Sequence, residues 1–321
     1  MELDKLLHEK FTNIFKKGYI TVEGTTLTER YDDVKEDLDN LEVNESDVWI
    51  CTFPKVGTTW TQEMVWMIIN NLDFEGGKVN LDDRCPFIDF SFVFDDREWH
   101  DQNPEENNFP PCVHDPIGLY KSLKSPVVVK THLPLVLLPK QIRNGLKKPK
   151  VIYVSRDPRD ACISFYHHCR LLEGFSGNFD EFCELFLAGK IMYGPFWKHV
   201  LPYWNLRHSP NLLFIKYEDM KTNLSGVVRT VAGFLERPLT EEKVQILAKH
   251  LSFESMSKNN AVNKEFLSDF TKKFKLAQNC PEGKFLRSGK TGEHKTAMSP
   301  EMLKKFEEWI KINIQDTDYV V

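Results

Sequence analysis

The sequence predicts an α/β protein, three layers (α/β/α) built around a central, mainly parallel sheet. Four short runs rich in β-branched and aromatic residues carry that expectation: Val48 to Phe53, Val127 to Val129, Lys150 to Ser155 and Asn211 to Tyr217. They read as strands buried in a sheet. Residues with helical spacing follow them, and an alternation of strand and helix is the order of a parallel sheet with helices on both faces. Charged and polar residues gather where the runs end, the side on which open α/β sheets bind ligands.

At 321 residues and 37.5 kDa the chain is long enough to bury a full core as one domain over 1–321. No repeat or low-complexity linker forces a boundary. Lysine and arginine number 42 against 47 acids, a formal charge of -5, which argues against a protein that wraps nucleic acid. A mean hydropathy of -0.40 suits a water-soluble chain. The start, Met1 to Lys10, mixes charges among few apolar residues, and no later run is long enough to span a bilayer. The seven cysteines have neither disulfide-framework nor zinc spacing, so a reduced, cytoplasmic protein with no membrane contact and no metal is expected.

Residues 1–45 are polar, with an acidic stretch, and read as a surface lead-in. The first strand then runs into Pro54, which has no N–H to give a ladder. Lys55, Gly57, Thr58 and Thr59 follow, and Trp60, Met64, Val65, Met67 and Ile68 have helical period. A lysine and two hydroxyls therefore sit where the first helical N–H groups point outward unpaired, a place that attracts phosphate. The spacing is not the Gly-x-x-x-x-Gly-Lys-Ser/Thr of magnesium-dependent nucleotide loops, since the lysine precedes the glycine. Taken alone, the stretch serves equally as a strand exit and a helix cap.

Residues 73–125 read as irregular and aromatic-rich (Phe87, Ile88, Phe90, Phe92, Phe94, Trp99, Phe109). They are loops packed over the core, the wall of an apolar pocket, or both. Lys130, Thr131 and His132 lie where the second strand would end, before a helix-like segment at about 135–144. A histidine there is more often a hydrogen-bonding residue than a catalyst. The third strand ends at Arg156, with Asp157 as cap of a helix opening at Pro158. Ser164 lies eight residues after Arg156 and the two could converge on one anion. Phe165 and His168 extend the aromatic character, and the adjacent His167 and His168 lack partners at metal spacing. The fourth strand is followed by helices at about 222–235 and 240–250. Residues 257–285 are polar with scattered phenylalanines. They lead into Lys284 to His294, which is either a second phosphate cradle or a basic surface loop. Residues 300–312 close the chain as a helix.

Four blocks, in this order, make the chain resemble the PAPS-dependent cytosolic sulfotransferases, which move a sulfonate from 3'-phosphoadenosine 5'-phosphosulfate (PAPS) to an acceptor. They are Thr52 to Trp60, Lys130 to Pro134, Tyr153 through Ser164, and Phe285 to Lys290, within a likeness running from about residue 45 to the end. The resemblance implies a P-loop-like strand–loop–helix in which Lys55, Val56, Gly57, Thr58 and Thr59 surround the 5'-phosphosulfate. It places Trp60, Tyr217, Leu251 and Phe253 near the adenine. Arg156 and Ser164 hold the 3'-phosphate, assisted by Arg287, Ser288 and Gly289, and Phe285 and Leu286 belong to the same cofactor site. It implies His132 as general base, Lys55 and Lys130 as catalytic cations, and a metal-free reaction. The acceptor pocket expected is Phe87, Ile88, Lys130, His132, Phe165 and His168, taking a small hydrophobic hydroxylated molecule such as a phenol, steroid or other alcohol.

The chain departs from the family pattern in places. Val56 stands where a serine is usual, and Leu251 where a threonine is usual. The stretch between Phe253 and Arg287 is longer than in many relatives, so loops 73–125 and 257–290 are expected over the site, the latter as a modified lid. Lys295 to Pro300 lacks the usual dimerisation motif, which leaves homodimer and monomer both open. A nucleotide kinase would want magnesium and a Walker glycine run that the sequence does not have. A polysaccharide sulfotransferase fits less well with the apolar residues of 86–94. A non-catalytic PAP- or lipophile-binding protein is the remaining alternative, weighed against by Lys55 and His132.

Overall fold

A computed structural model of the chain describes residues 2–103, 105, 109–265, 270, 273–274 and 283–321. Strands β1 (Tyr19–Val22) and β2 (Thr25–Thr28) form a hairpin. The main sheet comprises β3 (Val48–Thr52), β4 (Val128–Thr131), β5 (Lys150–Ser155) and β6 (Leu212–Lys216), in the order β4-β3-β5-β6. Every neighbouring pair in it is parallel. All five residues of β3 are buried, as a strand covered on both faces requires. The helices Thr58–Ile69, Pro158–Leu172, Phe196–Asn205 and Leu224–Phe234 are among those that pack around it. Each fully buried apolar side chain there, such as Ile50, Phe53 or Met64, contributes about 1.5–3 kcal/mol.

Register sets the site. Val48 faces Val128 and Lys150, and Ser155 faces Lys216, so all four strands end at one edge. That edge gathers Phe53 to Gly57, His132, Arg156 and Tyr217. Asp157 caps the helix at Pro158, its side chain accepting the Arg159 N–H at 2.9 Å. The expected helices near 222–235, 240–250 and 300–312 are Leu224–Phe234, Glu241–His250 and Pro300–Ile314.

Several boundaries differ from the sequence reading. β4 includes Lys130 and Thr131 as its last residues. The helix-like segment after His132 is two short pieces, Leu135–Leu137 and Lys140–Arg143. Pro139 separates them, having no N–H to continue a helix. Short helices such as Leu81–Arg84, Phe90–Val93 and Pro116–Ser122 punctuate 73–125. Residues 2–46 are more than a surface lead-in, because Leu7, Phe15, Leu27 and Tyr31 are buried in or against the core. The hairpin turn at Glu23 and Gly24 has two positive φ angles, 50° and 69°. That geometry matches the twist of antiparallel strands, and a Glu-Gly turn in place of the usual Asn-Gly hid it. Of the expected lid, residues 266–269, 271–272 and 275–282 lie outside the described residues.

Candidate active site

Lys55 occupies the left-handed region at φ 67°, and Gly57, the N-cap of Thr58–Ile69, has φ 109°. A Cβ on Gly57 would meet Tyr217 Cδ2 at 2.8 Å, so both the dihedral and the close approach demand glycine. The turn leaves the first N–H groups of the helix facing a cavity of about 500 Å³. Thr58 Oγ1 is 2.7 Å from Thr52 Oγ1.

Thr52 also fixes His132. The ring Nδ1 lies 2.8 Å from the Thr52 carbonyl oxygen and 3.0 Å from its hydroxyl. A carbonyl only accepts, so Nδ1 carries the hydrogen and Nε2 keeps its lone pair for the cavity that His132 lines. The backbone is held as firmly. Asp89 accepts the His132 N–H at 2.8 Å, the Thr131 hydroxyl at 2.6 Å and the Tyr193 hydroxyl at 2.8 Å. His199 Nε2 donates to the His132 carbonyl at 2.8 Å, and its Nδ1 accepts from Tyr153 at the same distance. Burial, then the charge of Lys130, keeps His132 well below the ordinary imidazole range. Burial also lifts Asp89 to about 6, against the three hydrogen bonds that favour its ionised form.

Lys130 Nζ stands 3.7 Å from the Phe87 ring centre, and Phe87 is edge-on to His132 at 5.1 Å. Lys55 Nζ stands 3.9 Å from the Phe285 ring centre. Burial, followed by repulsion from Lys130, Lys264 and Arg156, brings Lys55 down to about 7. Burial and then Lys264 do the same to Lys130, which also falls to about 7.

Arg156 lies against the Tyr217 ring at 4.4 Å and donates to the carbonyls of Lys55 at 3.2 Å and Lys290 at 2.7 Å. Its buried Nε has no hydrogen-bond partner. Ser164, Trp60, Leu251, Phe253, Leu286 and Gly289 line the same cavity. Arg287 and Ser288 do so too, but both hold Glu293: Arg287 Nη1 and Ser288 Oγ are each 3.1 Å from its carboxylate. On the acceptor side, Phe87, Phe165 and His168 line the cavity, which continues past Tyr193, Phe94, Trp99 and Phe109.

Two expected residues do not line it. Ile88 is fully buried, and its side chain belongs to the core. The Phe87–Lys130 bridge turns Phe87 to the cavity and the next residue away. Val56 is likewise fully buried, its side chain in the core behind the left-handed turn of Lys55. Sequence reasoning missed Thr52, Asp89, Tyr193, Asp82 and Lys264, which meet only through the fold.

The donor set fits a polyanionic nucleotide. The cavity-lining carboxylates Asp82, Glu173 and Glu293 are already paired, with Lys264, Lys16 and Arg287. Among the described residues, Lys55, Lys130 and Arg156 have no carboxylate partner, and the Arg156 Nε is a buried donor left unmet. Among the described residues, too, no group of three or more His, Cys, Asp or Glu could hold a metal ion. No helix among them is long and apolar enough to cross a membrane.

Fold and site thus define an α/β protein that gathers cations and a neutral histidine at the carboxyl edge of a parallel sheet. The sulfotransferase domain model matches residues 45–318. Luciferin sulfotransferase of Photinus pyralis is 40% identical over 321 residues, covering 99% of this chain and 86% of the relative. Sulfotransferase 1A1 of Canis lupus familiaris is 30% identical over 289 residues, covering 89% of each. Retinol dehydratase, solved with retinol and PAP, superposes with a TM-score of 0.87 at 31% identity, covering 100% of this chain and 96% of that one. The chain belongs to the PAPS-dependent sulfotransferase family. It is an enzyme that uses PAPS to sulfonate small molecules.

Proposed function

We propose that this enzyme transfers the sulfonate in line to the hydroxyl of a small apolar alcohol or phenol, with His132 as general base. The carrying observation is the Nδ1–H bond from His132 to the Thr52 carbonyl, which leaves Nε2 unprotonated toward the cavity. Bound PAPS supplies the sulfonate and a phosphate leaving group. His132 Nε2 takes the acceptor proton as the oxygen attacks. Lys55 meets the charge that develops on the leaving-group oxygen, and Lys130 steadies the sulfonate. The amides and hydroxyls of Gly57, Thr58 and Thr59 cradle the 5' end. Arg156 and Ser164, with Arg287, Ser288 and Gly289, hold the 3'-phosphate. Trp60, Tyr217, Leu251 and Phe253 flank the base, and Phe285 and Leu286 close the cavity beside Lys55. The cytoplasm is the proposed location.

The acceptor class rests on the aromatic wall formed by Phe87, Phe94, Trp99, Phe109 and Phe165. A neighbour of the same fold was solved with androsterone or retinol, and a relative is named for luciferin. All are compounds that an apolar cavity accommodates. The test is transfer from isotopically labelled PAPS, without added metal, to phenols, steroids and retinoid-like alcohols beside a polysaccharide. Transfer to an apolar alcohol and none to the polysaccharide is expected. Tight PAP binding with no transfer to any of them would contradict it.

A further inference from the structure

One buried ion pair at the catalytic end of the cavity has no part in the mechanism above. Lys264 Nζ lies 2.7 Å from each oxygen of Asp82, with the two side chains only 6% and 3% exposed. Burying two charges costs several kcal/mol per ion before their attraction repays it. The segments they join are already tied by the Leu81 N–H to the Ala261 carbonyl at 2.8 Å, so a tether alone does not account for them. Lys264 also holds φ 58°, in the left-handed region, where a lysine is strained.

The ammonium so placed reaches another element of the site. Lys264 Nζ is 5.4 Å from the Phe285 ring centre, and Lys55 Nζ is 3.9 Å from the same centre. Asp82, Lys264, Phe285 and Lys55 therefore form a continuous chain of contacts from the helix Leu81–Arg84 to the turn before Thr58. All four line the cavity. We propose that Lys264, anchored by Asp82, is a positioning residue for Lys55: through the Phe285 ring it fixes where the Lys55 ammonium stands and how firmly its charge is held.

The surrounding charges agree. Lys55 faces Lys130, Lys264 and Arg156, with the Cys169 thiol and the imidazoles of His132 and His168 nearby. Lys130 faces Lys264, Asp82 and Asp89. Burial is the larger influence on both lysines, and Lys264 then presses each of them further toward neutrality. Removing the Lys264 charge thus raises both midpoints. Removing the Asp82 charge leaves Lys264 uncompensated and lowers that of Lys130.

The test follows lysine 13Cε resonances of the full chain through a pH titration without nucleotide, assigned by Lys55→Met and Lys130→Met. Two signals titrating near pH 7 are expected. Lys264→Met should raise both midpoints by ~1 in pH, as expected for removing one nearby charge at an effective dielectric of about 20. Lys264→Arg should restore the wild-type values, and Asp82→Asn should lower that of Lys130. Lys264→Gln serves the same purpose if the methionine variant does not fold. A merely structural tie would let water in when broken, so both substitutions would raise the midpoints together. That result, or midpoints that do not move, overturns the proposal. The inference rests on Lys55 acting at the transfer centre. Undiminished transfer by Lys55→Met would sink that assignment, whereas unmoved midpoints would sink this inference alone.

Discussion

His132→Ala loses sulfonate transfer by roughly 10²–10⁴-fold while binding PAP as wild type does. The separation is expected because the scaffold around the imidazole does not depend on it. Asp89 accepts the backbone N–H of residue 132, and His199 donates to its carbonyl. Alanine keeps both. What disappears is the ring, with its link to Thr52 and the Nε2 lone pair. Thr52 retains its contact with Thr58, so the phosphate-facing turn stays in place. Single-turnover transfer from saturating PAPS, measured beside calorimetric PAP binding, gives both quantities. Unchanged turnover would remove His132 from the role of base.

Arg156→Ala weakens binding of PAP far more than binding of its 3'-dephospho analogue. A charge-assisted hydrogen bond of this kind is worth about 1.5–3 kcal/mol, roughly a 10- to 150-fold difference between the two ligands. The comparison matters because Arg156 has a second duty. Its donors hold the carbonyls of Lys55 and Lys290, so its removal loosens both loops and costs affinity for any nucleotide. That cost is common to the two ligands and cancels in their ratio. The remainder reports the 3'-phosphate. Titration of both ligands against wild type and variant measures it, and an equal loss for both would refute the assignment.

Much of this arrangement is legible in the sequence. The strand tips were readable because β-branched runs ended at charges, and the parallel order placed those ends on one edge. Lys55, His132 and Arg156 stand at such ends, the order of the four blocks adds Ser164, and all four line the cavity. Val56 and Ile88 were misplaced because a turn and a loop have no period from which to read facing. In each case a single dihedral or bridge decides the matter. The supporting residues were invisible for another reason. Asp89 lies 43 positions from the amide it holds, and Lys264 lies 182 from Asp82. Separations of that size leave no local pattern. Nor did the N-terminal hairpin announce itself, since its turn is made by Glu23-Gly24 rather than a more usual Asn-Gly.

His132 waits as a neutral imidazole with hydrogen on Nδ1. Direct observation of its ring nitrogens by 15N NMR, on the free protein at neutral pH and assigned with His132→Ala, tests it. Hydrogen on Nδ1, donated to the Thr52 carbonyl, and a bare Nε2 are the predicted result. An imidazolium, or hydrogen on Nε2 with a bare Nδ1, would contradict it and leave the acceptor proton without its base.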